Sequence, residues 1–168
     1  MKKANLWIVL GLILTGCAKI DRDISKDPIV SSMVGRSYQT KKDLLIYVFD
    51  DAKKKIRIHQ FGHGPDFPDQ LSGNGKFPER YYGTLILGVF PVGSEFQISE
   101  VKEEGNTGMS FIVYKANITS CSDDAWVGKE IYVEDLANPL KMPPVFDDDL
   151  VREIIMTSGE GSFSLPPK

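Results

Sequence analysis

Short apolar runs alternate with clusters of turn residues from Leu44 to Val133, and none of these runs has the length or spacing of an ordinary amphipathic helix. Leu44-Leu45-Ile46-Tyr47-Val48-Phe49 is a compact apolar segment, and Ile56-Arg57-Ile58-His59-Gln60-Phe61 alternates at its start. The polar residues from Asp50 to Lys55 between them predict a hairpin. Thr84 to Phe90 predicts a third strand, stopped by Pro91 and Gly93, and Phe96 and Ile98 alternate in a fourth. Glu103 to Gly108 supplies turn chemistry before Met109 to Ile118. There Met109, Phe111 and Val113 share one face while Ile112, Tyr114 and Ala116 share the other. Both faces are apolar, so this strand is expected in the middle of a sheet. Ile131-Tyr132-Val133 adds one more.

One helix is predicted, near the C-terminal end. Asp147 serves as its cap, Asp148 and Asp149 suit its positive N-terminal end, and Leu150, Val151, Ile154 and Ile155 form its apolar face. The prolines of Asn138 to Pro144 hold the preceding segment extended. The pattern specifies a mainly β fold, a small barrel or β-sandwich with one short C-terminal helix. No internal repeat is present.

The first residues follow another pattern. Lys2 and Lys3 precede an apolar run from Leu6 to Leu14, which has the charge order and length of a secretory signal. Leu14-Thr15-Gly16-Cys17 closes it and matches the lipobox L-[AST]-[GA]-C, so the chain resembles a bacterial lipoprotein over about its first 18 residues. The resemblance implies diacylglycerol on the Cys17 thiol, cleavage just before Cys17, and usually acylation of the new amine. With Ala18 rather than Asp after the cysteine, it implies the outer membrane, facing the periplasm. More than one acyl chain makes anchoring durable, at about 0.8 kcal/mol per buried methylene. Residues 1–16 are then the signal peptide, 17–28 a lipidated tether, 29–158 the β-rich domain and 159–168 a flexible tail.

From about residue 34 to 136 the chain resembles bacterial SH3-like barrels. Pro91-Val92-Gly93 matches their P-x-G turn, Met109 to Ile118 their hairpin strand, and Gly128-Lys129-Glu130-Ile131-Tyr132-Val133 their final strand. A long insertion between the second and third strands departs from that family.

Charge narrows the partners. The leader carries two of the 20 basic side chains and none of the 23 acids, so the mature chain is more acidic than the formal −3 of the whole. Nucleic acid is excluded on that ground. With Cys17 consumed by lipid, Cys121 has no intramolecular disulfide partner and reads as a small buried thiol.

The insertion, Gly62 to Gly83, is the segment that asks for a functional explanation, because unstructured loops of this length are uncommon in compact domains. Its aromatic residues Phe67, Phe77, Tyr81 and Tyr82 suit a recognition surface, with Tyr81 and Tyr82 foremost, and suit capping the barrel somewhat better, because aromatic rings in a small domain are mostly core. His59, His63, Asp66 and Asp69 are the one cluster of possible metal ligands. On an extended strand the two histidines would lie about 13 Å apart, and only a tight turn at Gly62 would bring them together.

Motifs for nucleophilic or phosphate chemistry fail. Gly35-Arg36-Ser37-Tyr38-Gln39 lacks the closing glycine of a nucleophile elbow, and Gly75-Lys76 is followed by Phe77 where a phosphate loop needs Ser or Thr. The acid pairs sit beside turns and the helix start, where solvation and capping explain them. No motif calls for a cofactor or for catalysis. The expectation is a lipid-anchored envelope module that binds a protein or the cell wall, peptidoglycan included. The alternatives are an immunity lipoprotein that neutralises a periplasmic toxin, and a metal-dependent envelope enzyme using His59 and His63.

Overall fold

The computed structural model describes residues 19–49, 55–63, 67–71, 76–106, 108–138, 141 and 145–155. Their strands are β1 (Lys19–Asp23), β2 (Ser37–Thr40), β3 (Leu44–Phe49), β4 (Arg57–His59) and β5 (Glu79–Tyr81), followed by β6 (Thr84–Phe90), β7 (Glu95–Asn106), β8 (Met109–Ser120), β9 (Glu130–Tyr132) and β10 (Val151–Ile154). They form one sheet in the order β10-β2-β7-β8-β9-β4-β3-β6-β5. β2 pairs with the first residues of β7 and β1 with its last, and only β4 with β9 is parallel. The sheet curls into a half barrel. No helix among the described residues is long and apolar enough to cross a membrane.

β3 shows why its sequence lacks alternation. Leu44 and Ile46 point into the main core with Ile58, Phe90, Phe96, Ile98, Tyr114, Ala116, Ile118 and Ile131. Leu45 and Tyr47 enter a second cluster with Ile86 and Phe67, so both faces of the strand are covered. The hairpin of β3 with β4 forms in register Ile46↔Ile58. β8 lies between β7 and β9, the central position that its two apolar faces predict. Burial on both faces is limited to its middle, at Val113 and Tyr114, however, because Met109 and Phe111 stay exposed near the β7–β8 turn and Asn117 and Thr119 beyond it. That turn requires Gly105, whose φ is +149° and where a Cβ would run into the Met109 and Ser110 backbone.

The predicted C-terminal helix is replaced by a single turn and a strand. Asp147 does cap the turn, accepting from the Asp149 N–H at 2.8 Å, and Val151 donates to its carbonyl at 3.0 Å. Val151 to Ile154 then pairs antiparallel with β2, Val151 opposite Thr40 and Ile154 opposite Ser37. The free edge of β2 offers a complete ladder, and Val151 and Ile154 are β-branched, so the ladder outweighs an isolated helix of barely two turns. A second correction concerns Lys19 to Asp23, placed in the tether by its polarity. It pairs with β7 through its backbone, and Arg22 meets Glu103 at 2.6 Å and Asp21 meets Lys102 at 3.3 Å across the pair. Residues 1–18, with Cys17 and the expected signal peptide, and the expected tail 159–168 lie outside the described residues.

Between β9 and β10 the chain closes the half barrel. Phe146 bridges to Ala137, Asp147 donates to the Leu136 carbonyl at 2.8 Å, and the Leu150 carbonyl accepts from the Lys41 N–H at 2.8 Å. The ring of Phe146 meets Tyr38, Tyr114 and Phe96 edge-on at 4.7, 5.8 and 6.3 Å.

Candidate functional site

The four aromatic candidates of the insertion do not form one surface. Phe67 is 8% exposed and packs edge-on against Tyr47 at 4.9 Å and flat against His59 at 4.4 Å, so it caps the outer face of the sheet and is unavailable to a partner. Tyr81 is half-buried against the same cluster. Tyr82 occupies the two-residue turn between β5 and β6 with φ 49° and is 73% exposed, its ring edge-on to Tyr81 at 4.9 Å. Phe77 points elsewhere, into a shallow groove of about 590 Å³ with Ile56, Leu87 and Trp126. Capping claims Phe67 and most of Tyr81, and only Tyr82 and Phe77 keep an outward face.

The histidines, by contrast, do come together. Gly62 takes φ +65° and donates to the Pro68 carbonyl at 3.0 Å, and the resulting turn sets the His59 and His63 rings 5.0 Å apart. The Nδ1–H of His59 donates to the Gln60 carbonyl at 3.1 Å, which leaves Nε2 as the lone-pair nitrogen. The Gln60 side-chain amide donates to His63 Nδ1 at 2.6 Å. Burial holds His59 below the usual imidazole range, against the opposing pull of the Gln60 carbonyl and of Asp135. Asp69 tucks against Gly62, and Asp66 lies outside the described residues. Among the described residues no three His, Cys, Asp or Glu side chains form a group that would hold a metal.

Gly62→Ala is expected to lower stability by about 1–2 kcal/mol, the cost of a side chain in the left-handed region. Its Cβ would also collide with the Asp69 carboxylate. Thermal melts and the imidazole proton shifts of His59 and His63 read the two effects, and unchanged shifts would show that the turn does not set the ring pair.

Beside the histidines opens a cleft of about 1110 Å³. One wall is β8, with Phe111, Ile112 and Tyr114; another is the turn Glu134–Leu136; the third is Val145 to Leu150. Two part-buried polar contacts stiffen its floor. Tyr47 donates its hydroxyl to Asp135 Oδ2 at 2.5 Å, and Arg57 donates its guanidinium to Glu134 Oε1. The Arg57 guanidinium also lies over the Phe49 and Tyr132 rings at 5.7 and 5.8 Å. Glu134 Oε2 is buried without a hydrogen-bond partner. Burial pushes the Glu134 carboxyl up to about 7, a desolvation that outweighs the attraction of Arg57.

This arrangement can hold a ligand at a mixed apolar and acidic wall. The hydroxyl in that wall, Ser110, donates to Glu103 rather than to a histidine. Most of the cleft was invisible to motif reading. Glu134 and Asp135 follow the apolar Ile131-Tyr132-Val133 as an unremarkable polar stop, and Phe146 sat in the lead-in to the supposed helix. Only the His59–His63 spacing carried a usable signal, conditional on a turn at Gly62. Comparison of the chain with protein-family models, with curated proteins and with solved structures returned no match.

Proposed function

We propose that the chain is a lipid-anchored binding module of the bacterial envelope, held at the outer membrane by acylated Cys17 and acting in the periplasm by contact with another protein or the cell wall. The lipobox residues support the anchor, and the half-barrel curl with the succession β7, β8 and β9 supports the SH3-like resemblance of residues 34–136. One observation carries the binding role. The cleft has exposed Phe111 and Val145, at 52% and 44%, on its rim, beside Phe146 at 5% in its wall. Large apolar side chains left open around a concavity mark a contact surface, and lipid confinement raises the local concentration of the domain for any partner on the same membrane.

The test is crosslinking of the lipidated protein in its native envelope, read by mass spectrometry. Phe111→Glu is expected to abolish capture of the main partner while Tyr82→Ala leaves it intact. The opposite result moves the recognition surface to the β5–β6 turn. Cys17→Ser is expected to release the protein from the membrane fraction, and its retention there overturns the anchor.

A further inference from the structure

Resting on the acylated Cys17 of that reading, we propose that the free end of the β7–β8 hairpin is a second membrane contact, with Met109 entering a phospholipid bilayer beside the acyl chains and Phe111 at headgroup depth. The hairpin extends past the strands around it. β2 pairs with β7 only from Glu95 to Gln97, and β9 with β8 only from Lys115 to Asn117. Beyond those rows β1 is its one flanking strand among the described residues, and the three strands make a narrow tongue. Near the end of the tongue stand Met109, 73% exposed, and Phe111, 52% exposed. They are two positions apart on β8 and so share one side of the strand.

Chain order brings the lipid to this same end. β1 runs antiparallel to β7, so its first residue, Lys19, lies beside Asn106 in the row next to the turn. Cys17 is two positions before Lys19. An acyl group on Cys17 draws the end of the tongue to the bilayer, where the two exposed apolar side chains leave water. The exposed Lys19 ammonium suits the phosphates at that depth, its stem lying along the apolar boundary.

Two further features let this end lose water at little cost. The Asn106 side-chain carbonyl accepts from the backbone N–H groups of Gly108 and Met109 at 2.9 and 3.0 Å, so donors of the turn are satisfied inside the protein. The three acids nearest the end each have a cation. Asp21 meets Lys102 at 3.3 Å, Glu103 meets Arg22 at 2.6 Å, and Glu104 meets Lys55. No bare carboxylate of these three opposes approach to a lipid surface. Area argues against a second copy as the occupant. Stable protein interfaces bury about 800 Å² on each partner, and two side chains on a narrow tongue fall far short of that. A bilayer sets no such minimum once acyl chains hold the domain against it.

The experiment places the full-length lipidated protein, with Cys121→Ser, in vesicles of phosphatidylethanolamine and phosphatidylglycerol. An environment-sensitive fluorophore is carried on Met109→Cys or, as the control, on Val92→Cys. Val92 is exposed and precedes β7, at the far end of the hairpin. Emission from position 109 is expected to shift to the blue and to be quenched by nitroxide-labelled lipid, with neither effect at position 92. Equal, water-like emission from both positions overturns the inference. A blue shift at position 109 without quenching by the lipid overturns it as well, because a second copy then covers the tongue. Cys17→Ser separates the two levels. Its release from the membrane fraction, together with water-like emission from position 109 of the acylated protein, keeps the anchor and removes the hairpin contact. Its retention in the membrane fraction removes the anchor, and with it the ground of this inference.

Discussion

Phe146→Ala is expected to lower the free energy of unfolding by about 3–5 kcal/mol, the usual range for deleting a buried phenylalanine. Its ring is 5% exposed and touches three other aromatic rings, one each from β2, β7 and β8. Those contacts, with two backbone hydrogen bonds to residues 136–138, are what hold the closing segment across the mouth of the half barrel. Deleting the ring therefore does more than leave a cavity. It frees one wall of the cleft, so partner capture should be lost together with stability. Phe146→Leu keeps most of the apolar volume and should lose only a fraction of either. Urea unfolding of the two variants decides the matter, and a loss below about 1 kcal/mol in Phe146→Ala would mean that the segment merely drapes over the core.

The second large effect concerns Arg57 and is expected to depend on pH. Arg57→Ala strips a buried carboxylate of its countercharge, a change worth about 3–5 kcal/mol when one partner of such a pair is removed. Two ring contacts go with it. Burial pushes the Glu134 carboxyl of the folded chain up to about 7 from an ordinary 4.5, outweighing the attraction of Arg57. Between those values the folded state holds a proton that the unfolded state has released, so this group stabilises at acid pH and its contribution falls as pH rises toward 7. The difference corresponds to about 3 kcal/mol at 1.36 kcal/mol per pKa unit. His59 works in the other sense. Its lowered pKa gives stability that is present above the ordinary imidazole value and lost as pH falls through the folded one. Urea midpoints from about pH 4 to 9 should therefore show a loss between about 4.5 and 7 that disappears in Glu134→Gln, with nothing further from this group above 7, while the opposing acid-side loss from His59 remains in that variant. The Arg57→Ala penalty should grow toward alkaline pH, where Asp135 is the nearest like charge to Glu134 and Lys55 the remaining cation. A loss between about 4.5 and 7 unchanged in Glu134→Gln would falsify the assignment.

Legibility in the sequence followed locality. The β3–β4 hairpin, β6, β7, β8 and β9 could be read because each keeps its apolar run within a few residues of glycine, proline or acidic turn signals. β10 could not, since Leu150, Val151, Ile154 and Ile155 satisfy helical spacing as well as a strand, and the choice was made by the open edge of β2 more than 100 residues away. β1 was missed for a different reason: its side chains are nearly all exposed, and its pairing rests on backbone and cross-strand charge. The candidate site was the least legible part. Phe67 and Tyr82 belong to one insertion of one composition, yet one is buried and the other exposed, because the loop folds a single side onto Leu45 and Tyr47. The cleft draws its walls from β8, from the turn after β9 and from the segment before β10, and no local window contains all three.

The pairing of β1 with β7 also sets a leash. Lys19 stands opposite Asn106, at the end of β7 that turns toward Met109 and Phe111. With Cys17 as the proposed lipid attachment, only two residue steps, at most about 7 Å of chain, would separate the acyl anchor from the body of the domain. Such a module has no swing radius. On the proposed anchoring it would sit on the bilayer with the β7–β8 turn toward the lipid, and its partner would have to come down to the membrane surface.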